Sequence, residues 1–157
     1  MTYDEKLAAR IIESNIPEVW KDIADWEGLY AVSNFGRIKS YHRVLTNGKS
    51  RFIKQSYIMK TIASMNSDRR KINLQQNGFQ QTCYINRLVA EAFLEINRKD
   101  DTIAVLPKNN DNGDNFVENL MIVQKYKVLR NSRRITSEDK HGNIMTFDSI
   151  SLAADHL

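Results

Sequence analysis

The densest group of potentially reactive side chains lies between Asn109 and Asn119, where Asn109, Asp111, Asp114, Asn115, Glu118 and Asn119 fall within one short stretch. Oxygen donors at this density could gather round a hard divalent cation. Hydrolysis at such a cation also needs a proton acceptor nearby. The chain has 3 histidines, His42, His141 and His156, and all stand outside the stretch. The same residues equally form an ordinary polar turn between two apolar elements, which requires no ligand.

Charge is uneven along the chain. The total is +4, but from Arg37 to Lys71 ten basic residues (Arg37, Lys39, Arg43, Lys49, Arg51, Lys54, Lys60, Arg69, Arg70 and Lys71) stand against a single acid, Asp68. Tyr41, Phe52 and Tyr57 are interleaved with them, a mixture suited to phosphate contact with some groove packing. A second cluster, Lys125, Lys127, Arg130, Arg133 and Arg134, contains no acid. A basic run is commonly a solvated face, but a segment this one-sided repels itself enough to favour a polyanionic partner. With about six phosphates contacted, affinity falls roughly a thousandfold between about 50 and 200 mM salt.

Four blocks resemble a known family. Val105-Leu106-Pro107, Asn109, Asp111, Asp114-Asn115 and Val117-Glu118-Asn119-Leu120 resemble the catalytic motif of HNH homing endonucleases of the intron- and phage-encoded type. Asn86 to Leu94 resembles the helix leading into that motif. Glu18 to Ile23 with Trp26 to Ser40 resembles the small DNA-binding module at the N-terminus of these nucleases. Asp139 to Asn143, Phe147 to Ile150 and Ala153-Ala154 resemble the opening of their C-terminal repeat, a hairpin ahead of a helix-turn-helix.

The resemblance implies a nuclease scaffold without its chemistry. Ungapped alignment on Glu118-Asn119-Leu120 puts Leu106 at the metal-carboxylate position, Pro107 at the histidine position and Val128 where a helical ligand is expected; Asn119 alone survives. Leu and Pro side chains neither accept a proton nor bind magnesium, and a carboxamide is a weak anchor for a hard cation. Asn86 stands where the leading helix normally begins with histidine, and Asn suits a helix N-cap. The expectation is therefore a catalytically inactive relative with no cofactor, which binds nucleic acid, most readily duplex DNA, through the two basic clusters, Arg37 and Lys39 foremost. Such genes belong to phages and mobile elements, which places the protein in the cytoplasm of a bacterial host.

Two other readings stay open. An old nuclease scaffold could bind and regulate or inhibit a host or phage protein, using a surface released from catalysis. Alternatively, an active endonuclease could use a displaced site, with His42 as base and Mg or Mn as its ion.

Positioning these residues calls for an α+β chain: a β-rich module at 18–84 followed by a degenerate ββα module at 85–134, flanked by a helical extension at 1–17 and a truncated hairpin-helix remnant at 135–157. Leu7, Ala8, Ile11 and Ile12 predict a helix over 3–14, ended by Asn15-Ile16-Pro17. Strands are predicted at Gly28 to Val32, Arg37 to Tyr41, Tyr57 to Thr61, Lys71 to Gln75 and Gln80 to Ile85, with Asn77-Gly78 a hairpin turn. A helix Arg87 to Leu94, a strand Ile103 to Val105 and a helix Val117 to Val128 complete the pattern. With 157 residues, 41% of them hydrophobic, the chain can bury one modest core or two small ones. Its apolar runs are too short to span a membrane and its acidic start is unlike a secretory signal. One cysteine, Cys83, excludes an internal disulfide or a cysteine-built zinc site.

Overall fold

The computed structural model describes residues 2–46, 48–65 and 67–125, and the backbone of 135–138 and 144–147. In chain order the elements are α1 (Tyr3–Ser14), β1 (Trp20–Asp22), β2 (Tyr30–Ser33), β3 (Ile38–Ser40), β4 (Arg43–Thr46), β5 (Arg51–Lys54), β6 (Tyr57–Met59), β7 (Ile62–Ser64), β8 (Ser67–Gln76) and β9 (Phe79–Tyr84). Then follow α2 (Ile85–Leu94), β10 (Ile103–Pro107), a 3-10 turn (Val117–Asn119), β11 (Leu120–Gln124), β12 (Ile135–Glu138) and β13 (Ile144–Phe147). The mixture is mostly strand, with two α-helices among the described residues. The chain divides into two compact units, residues 1–124 and 125–157. In the second, β12 and β13 pair antiparallel, Ile135 opposite Phe147; the helix expected after them lies outside the described residues.

The first unit holds a four-stranded sheet in the order β1-β2-β3-β6, a three-stranded sheet β7-β8-β9, and the two-stranded hairpins β4-β5 and β10-β11. Helix α2 packs on β2, β8, β9 and β10. The resulting core takes Ile23, Trp26, Tyr30, Val32 and Ile38 from the first sheet, Ile72, Leu74 and Cys83 from the second, Leu88 and Val89 from α2, and Val105 and Leu120 from the last hairpin. Residues from both expected modules, 18–84 and 85–134, thus meet in one interior. Burying each such aliphatic side chain stabilises by about 1.5–3 kcal/mol. No helix among the described residues is long and apolar enough to cross a membrane.

Local sequence explains the turns. Thr2 and Glu5 form a reciprocal capping box that starts α1, and Asn15 at φ 51° ends it. Asn77 and Gly78 both adopt positive φ, 49° and 82°, as a two-residue hairpin requires. Gly36 in the β2-β3 turn is fixed twice over: its φ is +82°, and an added Cβ would lie 2.7 Å from Cβ of Asn115 and 3.0 Å from Cγ2 of Ile85. The turn of the N-terminal sheet is therefore pressed against Asn115, far along the chain, only because no side chain intervenes.

Three expectations are corrected. The helix expected over Val117 to Val128 is a single 3-10 turn followed by β11, which pairs with β10 from Ile103 opposite Gln124 to Pro107 opposite Leu120. Strand β10 needs a partner, and Leu120-Met121-Ile122-Val123, rich in β-formers, supplies it along its full length while only Leu120 enters the core. Asn86 is no N-cap: α2 starts one residue earlier, with Tyr84 at the cap and no side-chain capping bond. Asn86 is buried instead and donates from Nδ2 to the Val105 carbonyl at 2.8 Å, tying α2 to β10. The basic stretch 43–54, for which no strand was expected, forms the β4-β5 hairpin.

Candidate functional site

The Asn/Asp stretch is the loop of the β10-β11 hairpin, and its polar groups are spent on one another. Buried Asn119 donates from Nδ2 to Oδ1 of Asn109 and to the Asp114 carbonyl, both at 3.0 Å, and its Oδ1 accepts from the Asn109 amide at 3.2 Å. Asp111 Oδ1 accepts from the Gly113 amide at 2.8 Å. Asp114 Oδ1 accepts from the Phe116 amide at 3.2 Å, while its Oδ2 accepts from Asn109 Nδ2 at 2.9 Å. These are Asx turns closing a tight loop. Phe116 below them stacks on Phe35 at 4.7 Å between ring centroids, and the Val117 amide donates to the Asn34 carbonyl at 2.8 Å. The loop is thereby keyed to the β2-β3 turn.

Pro107, the last residue of β10, is buried, and Leu106 before it is half-buried. A Pro at the end of a two-stranded ribbon costs no ladder bond, and it offers the loop no acid-base group. These residues suit a divalent cation poorly: the strand end carries hydrocarbon, Asn119 uses both Nδ2 protons and its Oδ1 within the loop, and Oδ1 of Asp111 and of Asp114 each holds a backbone amide. Among the described residues no three or more His, Cys, Asp or Glu come together in a way that could hold a metal ion. Val128 lies outside the described residues. His42 is exposed between β3 and β4.

The basic residues separate into two kinds. Arg37 is drawn inward, with Nε donating to Glu18 Oε1 at 2.8 Å and Nη2 paired with Oε2. Burial alone would raise the Glu18 carboxyl, but the hydrogen bonds from Arg37 and Ser33 outweigh it and hold the group below its ordinary value. Arg43 donates to the Leu29 carbonyl and the Tyr30 hydroxyl, at 3.2 and 2.8 Å. Arg70 donates to Thr61 Oγ1 and its carbonyl, at 3.0 and 2.7 Å. Lys39 stands 4.1 Å over the Trp20 ring, Lys54 4.9 Å over Tyr57 and Arg69 5.6 Å over Tyr84; these contacts use the ring face and leave the cation's donors for another acceptor. Lys49, Arg51 and Lys60 are exposed and Lys71 is half-buried.

Hairpin β4-β5 brings Arg43, Lys49, Arg51 and Lys54 onto one ribbon together with exposed Val44, Phe52 and Ile53. Lys125, the first residue of the second unit, is exposed. Lys127, Arg130, Arg133 and Arg134 lie outside the described residues.

Sequence reasoning missed two groups. Glu18, 19 residues from Arg37, gives no local sign that it neutralises that cation. Arg87 on α2 donates to the carbonyls of Arg98 and Asp100 at 2.7 and 2.8 Å and to that of Ile103. It clamps the approach to β10, and only its place one residue after Asn86 hints at this.

A sheet module joined through one helix to a hairpin with an Asx-rich loop is the class of architecture these elements define. Residues 18–83 match the model of the NUMOD4 motif, which is found in homing endonucleases. The chain also shares its fold with a solved HNH homing endonuclease, I-HmuI, whose structure was described for its DNA binding and cleavage: the TM-score is 0.52 at 24% identity, over 88% of this chain and 83% of that one. A search of curated proteins by sequence gave no match.

Proposed function

We propose that this protein is a nuclease relative that binds duplex DNA without cutting it. The observation that carries the reading is the end of β10. Where the family resemblance calls for a metal carboxylate and a histidine, the chain has half-buried Leu106 and buried Pro107, and the remaining family residue, Asn119, is bonded on both its oxygen and its nitrogen within the loop. Neither a proton acceptor nor a cation ligand is left at that point.

DNA binding rests on the NUMOD4 match over residues 18–83 and on the fold shared with a nuclease described as binding DNA. A two-stranded ribbon fits the major groove, and β4-β5 has the composition for it: Lys49, Arg51 and Lys54 for phosphates, Phe52 and Ile53 for apolar contact. Arg37 is better assigned to fixing the β2-β3 turn through Glu18 than to gripping DNA. Lys39, Lys60, Arg69, Lys71 and Lys125 supply further positive surface, and no divalent cofactor is required.

The test pairs two assays on the same purified protein. Mobility-shift titration against duplex DNA is expected to show salt-sensitive binding, while plasmid incubation with magnesium or manganese is expected to leave supercoiled DNA intact. Metal-dependent nicking lost in His42→Ala would overturn the reading in favour of a displaced active site. Absence of any DNA binding at low salt would overturn it in favour of a protein partner.

A further inference from the structure

Helix α1 precedes the matched residues 18–83 and lies on the loop of the β10-β11 hairpin. Arg10 Nη2 is 3.6 Å from Asp114 Oδ2, and its guanidinium stands 5.2 Å from the Phe116 ring centroid. At the helix start, the Arg70 guanidinium stands 4.0 Å over the Tyr3 ring, and a Cβ added to Gly113 would meet that ring's Cε2 at 4.0 Å. Between these contacts lies a cleft of about 360 Å³, which Lys6, Asp68 and Asp111 help to line.

The attachment is firm in direction and weak in substance. No residue of α1 is fully buried; Tyr3, Leu7, Ala9 and Ile11 are only half-buried, so the apolar area that resists its departure is partial. Nε of Arg10 is screened from solvent yet has no hydrogen-bond partner, a cost borne only while the helix is seated. The helix itself has its own capping box and left-handed stop, which do not depend on the loop. Elements of this kind release locally without global unfolding. What keeps the helix in place is charge: within the loop Lys108 is turned to the Glu118 carbonyl, and Arg10 is the cation that faces Asp114. With 40% of the Arg10 side chain exposed, that attraction is open to screening by salt.

We propose that α1 is an ionic-strength-sensitive lid on the Asn/Asp loop, latched by the Arg10 to Asp114 pair. The lid closes at low salt, where Arg10 neutralises the loop's carboxylates, and opens when mobile ions or a bound polyanion compete for either partner. Opening uncovers Asp114, whose side chain is 15% exposed with the helix seated, and leaves the core on α2 untouched. The inference does not rest on the DNA-binding reading, and its test uses no DNA.

Hydrogen exchange of the whole chain, followed by mass spectrometry at about 50 and 500 mM sodium chloride, reads the lid directly. In the wild type, peptides covering α1 and residues 109–116 are expected to speed up together by several-fold at high salt, while α2 peptides hold their protection. Arg10→Gln is expected to exchange at the high-salt rate under both conditions. Arg10→Lys, which keeps the cation and leaves the Asp114 turn intact, retains slow, salt-sensitive exchange, which separates a lost latch from a damaged fold. The lid is refuted if α1 and the loop respond independently, if Arg10→Gln keeps the wild-type salt response, or if Arg10→Lys exchanges as fast as Arg10→Gln.

Discussion

Two polar regions of the first unit use the same side-chain chemistry in opposite ways. In the β10-β11 loop, Asn109, Asp111, Asp114 and buried Asn119 bond to one another and to the loop's amides. On the β4-β5 ribbon and the strands beside it, Arg51 and Lys60 are exposed, and Lys54 rests on an aromatic ring that leaves its donors available. Richness in polar residues therefore says little about function until it is known where the hydrogen bonds end. A buried polar group with every partner internal is committed to the fold. An exposed cation without a carboxylate remains able to meet a polyanion.

The largest effects should come from breaking the inward region. Gly36→Ala places a Cβ 2.7 Å from that of Asn115 at a backbone φ of +82°. The left-handed strain and the clash together should cost about 3 kcal/mol or more, seen as a lower midpoint in urea denaturation. Asn119→Ala removes three loop hydrogen bonds and takes the partner from the Asn109 amide and the Asp114 carbonyl, at a cost of about 2–3 kcal/mol. If the loop is scaffold, folded Asn119→Ala protein binds DNA as the wild type does. A collapse of binding in protein that circular dichroism shows to be folded would blur the contrast.

The outward region should behave conversely. Arg51→Ala, Lys54→Ala and Lys60→Ala combined remove exposed or ring-seated cations and should barely move the denaturation midpoint. The slope of log affinity against log salt should shrink by about 3, close to one for each phosphate contact. An unchanged slope would move the binding face off these strands.

The same contrast explains what the sequence made legible. Helix α1, the β2-β3 hairpin and the Asn77-Gly78 turn announce themselves through caps, turn residues and short-range alternation, which act over a few positions. The hydrocarbon character of Leu106 and Pro107 is likewise visible in the letters, because no fold can lend those residues a titratable group. The strand at Leu120–Gln124 was hidden, since four apolar residues in a row suit a helix or a strand and only the partner Ile103–Pro107 decides. The β4-β5 hairpin was hidden because charge masks alternation. For Arg37, composition shows a cation, whereas its pairing with Glu18 is visible only once the folded sheet brings the two within reach.

That pair offers the smallest effect and the sharpest boundary between the two regions. Arg37→Ala leaves the Glu18 carboxylate, whose side chain is only 13% exposed, without its main partner, at a cost of about 1–2 kcal/mol once solvent screening is allowed for. Because Glu18 is held below its ordinary value of 4.5 in the folded protein, its ionisation favours folding above that pH. The contribution must fade as pH drops below 4.5 and the folded carboxylate takes up its proton. The stability gap between wild type and Arg37→Ala should therefore be full near pH 7 and narrow through the acid range, in denaturation series at matched salt. Over the same series Arg37→Ala should alter the salt slope of DNA binding by well under the one unit expected of a phosphate contact. A full unit would mean that DNA draws Arg37 away from Glu18, making the inward and outward sets compete for one guanidinium.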